Sequence, residues 1–133
     1  MKPNIYGTRD SRLRSDIRHL CRQLTRDFKP DASVVNVVFV NDRRIRELNR
    51  RFLKRDRPTN VISFNCDEPR VPGEPRLLGE VYVSRDRARA QAREYGVTCA
   101  SETRRLTLHG LLHLIGLTHR EMEPLYRHYL EDL

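Results

Sequence analysis

Three histidines near the end of the sequence have a spacing that suits metal binding. His109 and His113 are four residues apart, so on a helix their side chains lie on one face, one turn apart. Gly116 can adopt the left-handed backbone conformation that ends a helix, after which the chain can turn and bring His119 to the other two. Three imidazoles that converge in this way can bind one Zn²⁺ and leave a fourth position open to water. The spacing therefore predicts a catalytic rather than a structural metal site.

The residue after the first histidine separates two kinds of metal hydrolase. The spacing matches the pattern H-E-x-x-H-x-x-G-x-x-H of metalloproteases, in which the Glu acts as the general base. This sequence has Gly110 at that position, and glycine has no side chain that could take a proton from water. A metallopeptidase is therefore the weaker alternative, whereas metal-assisted hydrolysis of another substrate stays open. The alternative without chemistry is a set of core histidines that bond to backbone carbonyls.

The charge of the chain favours a polyanionic partner. The sequence carries 26 Lys and Arg against 18 Asp and Glu, which gives a formal net charge of +8. Nearly all of these cations are arginines, whose planar guanidinium group binds phosphate through two hydrogen bonds and stacks on bases. RNA is the simplest such partner, and we expect neither DNA nor a membrane. An arginine-rich genome would produce the same composition without any such partner.

At 133 residues the chain should form a single domain over residues 1–133, and its cysteines and hydropathy pattern predict a cytoplasmic protein. Cys21, Cys66 and Cys99 are far apart and odd in number, which favours reduced thiols over a disulfide framework. The histidines already form a complete ligand set, so we expect none of these thiols to bind the metal. The N-terminal residues do not have the pattern of a signal peptide, and no apolar run approaches the length of a membrane span.

A row of arginines occupies one face of the first predicted helix, over residues 11–28. The row recurs every four residues, about 6 Å apart along the helix axis. Like charges at this spacing repel one another, and a phosphate backbone would turn the repulsion into attraction. We therefore expect the row to contact RNA, with a solvated face partly neutralised by Asp16 and Asp27 as the alternative. The row consists of Arg14, Arg18, Arg22 and Arg26.

The remaining periodicity predicts an α+β fold, in which a small mixed β-sheet is covered by helices. Strand, helix and strand follow one another over residues 34–64, which predicts a right-handed crossover and parallel pairing of its two strands. The helix between them should turn Ile45, Leu48 and Phe52 towards the core. The predicted strands are 34–40, 60–64 and 77–84. Ser84 should cap a helix through Tyr95 that Gly96 ends, and Thr98 or Ser101 should open the helix that carries His109 and His113. The last predicted helix is 121–133, with Met122, Leu125, Tyr126 and Tyr129 on one side.

Several segments resemble the YbeY family of proteins. The run from His109 to Gly116, together with His119, is similar to the family pattern H-G-x-L-H-L-x-G-Y-D-H. Residues 58–64 resemble P-T-[DN]-V-L-S-F, and residues 78–81 resemble L-G-[DE]-I. Residues 48–59 are similar to L-N-x-x-[FY]-R-x-x-D-x-P-T. These segments stand in the order of the family and extend over roughly residues 35 to 125.

The resemblance implies a zinc-dependent, single-strand-specific endoribonuclease whose metal ligands are His109, His113 and His119. It implies a role in ribosome biogenesis through maturation of ribosomal RNA, notably at the 3′ end of the small-subunit RNA. The partners would then be ribosomal RNA and the 30S subunit or the ribosome. Zinc would acidify water and polarise a phosphoryl oxygen. Whether water or the ribose 2′-hydroxyl attacks the phosphodiester stays open.

Three further residues are candidates for the chemistry of such a site. Glu80, expected near a strand end, is the candidate general base, with a structural role as the alternative. Arg55 and Arg57 are candidates for phosphate contacts, with plain solvated charges as the alternative.

Two positions depart from the family pattern. Thr118 stands where an Asp precedes the third histidine, so a carboxylate that could orient a ligand or a bound water is missing. Leu53 stands where the family has an Arg that suits phosphoryl charge. These departures keep a non-catalytic RNA-binding assembly factor with a structural metal as the main alternative. Hydrolysis of a small phosphorylated molecule is a third possibility, which the basic composition disfavours.

Overall fold

A mixed four-stranded sheet organises the fold, as the sequence predicts for an α+β protein. The computed structural model describes residues 1–69, 71–131 and 133. These residues form four strands and five helices. In chain order they are β1 (Lys2–Tyr6), α1 (Ser11–Phe28), β2 (Val34–Val40), α2 (Asp42–Leu53), β3 (Val61–Asn65), β4 (Leu77–Ser84), α3 (Arg85–Tyr95), α4 (Cys99–Ile115) and α5 (His119–Leu130).

The order of the strands corrects the predicted pairing of residues 34–40 with 60–64. The sheet has the order β1-β2-β4-β3, so β4 lies between β2 and β3. β2 pairs in parallel with β1 and β4, whereas β3 pairs with β4 in antiparallel register from Val61 opposite Val83 to Asn65 opposite Gly79. The crossover rule assumes that successive strands join the same parallel array. Here β3 and β4 form one antiparallel pair, and β4 is the strand that continues the parallel array.

The strand β1 is not among the predicted elements. This strand pairs with β2 along its whole length, from Lys2 opposite Val34 to Tyr6 opposite Val38. Its five residues include Pro3 and Asn4, which are poor strand formers, and only one of its side chains, that of Ile5, is buried. Such an edge strand is held mainly by its neighbour, so local composition does not reveal it.

The two faces of the sheet are covered unequally. The larger core lies on the face covered by α1 and α4, where Val37 and Val81 pack against helix residues such as Leu20 and Leu111. The opposite face carries α2 and a smaller buried cluster of Ile45, Leu48 and Ile62. The metal-ligand candidates lie on α4 and after it, so the larger core supports them.

The prediction that Phe52 faces the core is wrong. Its side chain is 55 % exposed, and its ring meets Phe64 of the edge strand β3 edge-on, with 5.3 Å between the ring centroids. Phe52 occupies the last turn of α2, which reaches the border of the sheet and finds one ring to pack on. Helical spacing identifies the face of a helix but not where the sheet beneath it ends.

The later helices follow the predicted capping residues. Ser84 caps α3, which ends at Gly96, and Thr98 caps α4, which ends at Gly116. The last helix begins at His119 instead of the predicted residue 121. Within the described residues, no helix combines the length and apolar composition that crossing a bilayer demands.

Candidate metal centre

The three predicted histidines lie together in the structure. Each of His109, His113 and His119 offers one ring nitrogen, and the three nitrogens lie within 4.8 Å of one another. The ring centroids are 4.6 Å apart for His109 and His113, 4.9 Å for His113 and His119, and 5.4 Å for His109 and His119. The first two rings are half-buried and the third is exposed, so the cluster opens to solvent at His119.

A short turn brings His119 back to the helix that carries the other two ligands. Gly116 ends α4 with φ of +100°, a conformation that L side chains rarely adopt, and its N–H donates to the carbonyls of Leu112 and His113. Two residues later Thr118 starts α5, so His119 is the first residue of that helix. The turn and the new helix fix the third ligand more firmly than a loop would.

Thr118 performs a structural task in this turn. Its Oγ1 accepts a hydrogen bond from the Glu121 N–H at 3.2 Å, and the Glu121 carboxylate accepts one from the Thr118 N–H at 3.0 Å. This reciprocal pair is a capping box, and Asp and Thr are both favoured at such an N-cap position. Thr118 therefore keeps the helix start that presents His119, although it lacks the charge of a carboxylate.

Helix α4 is fastened to the strand β3 beneath it. The Ser63 hydroxyl donates to the Gly110 carbonyl at 3.0 Å, and the Asn65 amide donates to the Leu114 carbonyl at 3.0 Å. Gly110 permits this close approach, because a Cβ there would lie 2.4 Å from a methyl group of Val81. Gly110, whose lack of a side chain argues against a peptidase, is thus also required for the packing of α4, the helix that carries His109 and His113.

The surroundings of His109 keep its ring neutral. Burial, followed by the neighbouring His113, His119 and Arg105, lowers the pKa of His109 to about 4. Burial and His119 also lower the pKa of His113. Both rings are therefore unprotonated near pH 7, and a neutral imidazole is the form that binds a metal ion.

Tyr126 is a site residue that the sequence analysis missed. Its hydroxyl forms a hydrogen bond with Nδ1 of His109, and the two rings are stacked with an interplanar angle of 8°. Such a partner fixes the orientation of a histidine and leaves its other nitrogen for a metal. Tyr126 is seven residues after His119, which is two turns along the same helix face, and this spacing was the available indication. The apolar side of the terminal helix, where its spacing places Tyr126, does not by itself indicate a contact with His109.

A cleft of about 230 Å³ opens beside the histidines. His109 and His113 line it from α4, Ser63 lines it from β3, and Leu53 lines it from the end of α2. Leu53 is the position where the family pattern has an arginine, so an apolar side chain occupies the wall of the cleft here.

The structure does not bring Glu80 to the histidines. Glu80 lies in the middle of β4, not near its end, and accepts hydrogen bonds from the Asn36 amide at 3.2 Å and the Tyr82 hydroxyl at 3.4 Å. Its neighbour Val81 points towards α4, and successive strand residues face opposite sides of a sheet. Glu80 therefore lies on the far side of the sheet, where its contacts are structural.

Arg55 and Arg57 follow α2 directly and are exposed. Two hydrogen bonds to the buried Asn49 hold this segment: the Arg55 N–H donates to the Asn49 carbonyl at 3.2 Å, and the Asn49 amide donates to the Arg57 carbonyl at 2.8 Å. The segment begins next to Leu53, a residue of the cleft wall. Both side chains are exposed, and neither lines the cleft itself.

The residues present fit a bound metal ion. Three imidazoles from a rigid helix and a capped turn form a donor set that suits zinc and related transition metals. Among the residues that the structure describes, the group whose candidate ligand atoms lie close enough to share one metal ion consists of these three histidines. Three protein ligands and an opening to solvent are the arrangement of a catalytic metal site.

Comparisons with known proteins agree with this geometry. A protein of Bacillus cereus (strain B4264), named Endoribonuclease YbeY, is 43 % identical over 100 residues, which are 70 % of this chain and 64 % of the relative. A protein of the same name from Myxococcus xanthus is 48 % identical over 86 residues, which are 64 % of this chain and 29 % of the relative. The chain thus spans less than two thirds of the length of either relative.

A solved structure and a family model extend the similarity to most of the chain. The solution structure of a Thermotoga maritima protein superposes with a TM-score of 0.67 at 30 % identity, covering 98 % of this chain and 87 % of the other. The family model described as Endoribonuclease YbeY matches residues 4–128, which include all three histidines. The chain belongs to the YbeY family.

Proposed function

We propose that this protein is a zinc-dependent endoribonuclease that cleaves single-stranded RNA. The observation that carries the proposal is the convergence of His109, His113 and His119 beside a cleft that the first two line, in a chain with a net charge of +8. The relatives named as endoribonucleases support an RNA substrate. Three imidazoles with a fourth position open to water are a donor set found at catalytic zinc sites.

In this proposal one set of residues binds the metal and another contacts the phosphates of the RNA. A Zn²⁺ ion on the three histidines would supply Lewis acidity for water and for a phosphoryl oxygen. Tyr126 orients His109, while Ser63 and Asn65 hold the helix against the sheet. Arg55 and Arg57 would contact the phosphates of the RNA that flank the cleft. Glu80 has no part in this scheme because it lies across the sheet.

The proposal also names a biological substrate, ribosomal RNA. The family resemblance favours ribosomal RNA, with maturation of the small-subunit 3′ end as the reaction, the 30S subunit or the ribosome as the partner and the cytoplasm as the place. The excess of arginine supports this assignment, since precursor RNA is a polyanion with exposed single-stranded ends.

An assay on three substrates tests the proposed activity. The metal-loaded protein is incubated with a single-stranded RNA, with the same RNA paired to its complement, and with casein. We expect chelator-sensitive cleavage of the single strand, much slower cleavage of the duplex and no hydrolysis of casein. RNA binding without any cleavage would favour the assembly factor with a structural metal, and chelator-sensitive hydrolysis of casein alone would favour a peptidase.

Two of the four arginines in the α1 row already have partners within the protein. Arg14 donates to the backbone carbonyls of Ile5 at 3.1 Å and Thr8 at 3.4 Å, so it is engaged within the fold. Arg26 pairs with Asp27 at 3.0 Å. Arg18 and Arg22 remain exposed. We therefore propose that these two arginines are the part of the row that contacts RNA phosphates.

The double variant Arg18→Glu, Arg22→Glu is expected to bind single-stranded RNA more weakly. The logarithm of affinity should also fall less steeply with the logarithm of salt, by about 1.4 in slope for two lost phosphate contacts. Fluorescence anisotropy at several salt concentrations measures both quantities. Arg89→Glu, Arg93→Glu on α3 makes the same charge change on another exposed helix. Equal effects of the two double variants would mean that only net charge matters and that the row is not a contact.

A further inference from the structure

The last turn of α2 exposes two large apolar side chains, the second of which reaches the metal-ligand cleft. Phe52 is 55 % exposed and Leu53 is 49 % exposed. Leu53 lines the cleft together with His109 and His113. Large apolar side chains gain free energy when they leave water, so an exposed pair beside a candidate active site indicates a ligand-binding surface.

The ring of Phe52 is held in place while most of its surface stays in solvent. Its contact with Phe64 is edge-on at an interplanar angle of 65°. The guanidinium group of Arg51 lies over the ring, 5.3 Å from its centroid. Phe64 in turn meets Tyr82 edge-on at 5.9 Å between centroids. Phe52 is thus the exposed end of a short row of aromatic rings anchored on the sheet.

The charges around this pair select a polyanion as its partner. Residues 50–57 contain five cations and one acid, and that acid, Asp56, already pairs with Arg46 at 2.9 Å. All of these cations are exposed. An apolar pair surrounded by unneutralised positive charge suits a ligand that is flat and apolar in one part and anionic in another. A nucleotide of single-stranded RNA has this chemistry.

We propose that Phe52 and Leu53 form a base-binding subsite, which stacks one unpaired nucleobase of the RNA beside the nucleotide held at the histidines. The proposal rests on the proposed endoribonuclease function and deepens it. Phosphates on either side of that base lie against the cations of residues 50–57. A base within a duplex is already stacked and paired, so the subsite selects single strands. Stacking tolerates any base, so the subsite contributes little sequence preference.

Binding of RNA to the metal-free 133-residue protein tests the subsite without cleavage. A short fluorescent single-stranded RNA is titrated against the wild type, Phe52→Leu and Phe52→Trp, and the affinity is read by anisotropy. Phe52→Leu keeps an apolar side chain against Phe64 but loses the stacking ring, so its affinity should fall by about 5- to 100-fold. Phe52→Trp should bind at least as tightly as the wild type. Tyr95→Leu is the matched control, since Tyr95 is 56 % exposed at the end of α3.

A second series uses RNAs that lack one base at successive positions. In the wild type, one position should weaken binding strongly when its base is missing, and in Phe52→Leu that position should lose its effect. Unchanged affinity of Phe52→Leu, or the same loss in Tyr95→Leu, would overturn the proposal. If the patch serves self-association instead, Phe52→Leu should change the sedimentation coefficient and leave the RNA affinity unchanged. That result would also overturn the proposal.

The outcome is separable from that of the proposed function. If the metal-loaded wild type cleaves no RNA, the endoribonuclease proposal fails whatever the binding series shows. If it cleaves RNA and Phe52→Leu matches its affinity and its KM, the activity stands and the subsite is wrong. Loss through the subsite should raise KM more than it lowers kcat, because Phe52 does not contact the reacting phosphate.

Discussion

Replacing His113 by alanine is expected to remove bound metal and RNA cleavage together. His113 is the middle ligand in the chain, with its ring 4.6 Å from that of His109 and 4.9 Å from that of His119. Two remaining imidazoles would bind zinc far more weakly than three. Because the metal supplies several kcal/mol of charge stabilisation, the cleavage rate should fall by about a thousand-fold or more. Elemental mass spectrometry and a gel-based cleavage assay measure the two losses.

His128→Ala is the matched control for this variant. His128 is exposed on α5 and belongs to the same helix as His119, but lies outside the cluster of ligands. Its removal should leave the metal content and the rate unchanged. The account would be contradicted by a folded His113→Ala protein that retains both its metal and full cleavage. Because the His113 ring is partly exposed, its truncation should disturb the fold little.

Gly110→Glu is expected to prevent folding. This substitution would recreate the metalloprotease pattern, but a Cβ at Gly110 would meet Val81 at 2.4 Å, Ser63 at 3.1 Å and Val61 at 3.2 Å. Replacing a helical glycine gains about 1 kcal/mol of helix propensity. Overpacking the contact between α4 and the sheet costs about 1–3 kcal/mol, and a buried, unpaired carboxylate costs several more. Thermal melting by circular dichroism should show no cooperative transition.

Two further variants separate the effect of the added Cβ from the effect of the added carboxylate. Gly110→Ala adds the Cβ without the charge, and because helix propensity offsets about 1 kcal/mol of the overpacking, it should lower the free energy of unfolding by no more than about 2 kcal/mol. Ala100→Glu places the same carboxylate in the exposed first turn of α4, where it should be tolerated. A Gly110→Glu protein that melts like the wild type would show that the helix and the sheet do not pack as closely as described.

The candidate site was more predictable from the sequence than the sheet was. The ligand spacing, Gly116 and the capping residues Ser84 and Thr98 are local features, because each depends on residues within one or two turns. The structure accordingly brings the three histidines together and ends the helices at the predicted glycines.

The misses concern contacts between distant parts of the chain. β1 depends on β2 for its existence, and the pairing of β3 depends on β4 rather than on the helix before it. The side of the sheet on which Glu80 lies follows from the register of β4, which its own residues do not specify. Tyr126 was overlooked because its partner His109 is seventeen residues away, across the turn that reverses the chain.

The measurement that tests the central claim most directly is a zinc titration of the metal-free protein. Bound zinc is counted by elemental mass spectrometry, and the initial rate of single-stranded RNA cleavage is measured on the same samples. The account predicts a negligible rate without metal, a rise in proportion to bound zinc and a plateau at one equivalent. Cleavage that is undiminished in the metal-free protein would contradict it. One equivalent of tightly bound zinc with no cleavage would contradict it equally and would leave an RNA-binding protein with a structural metal.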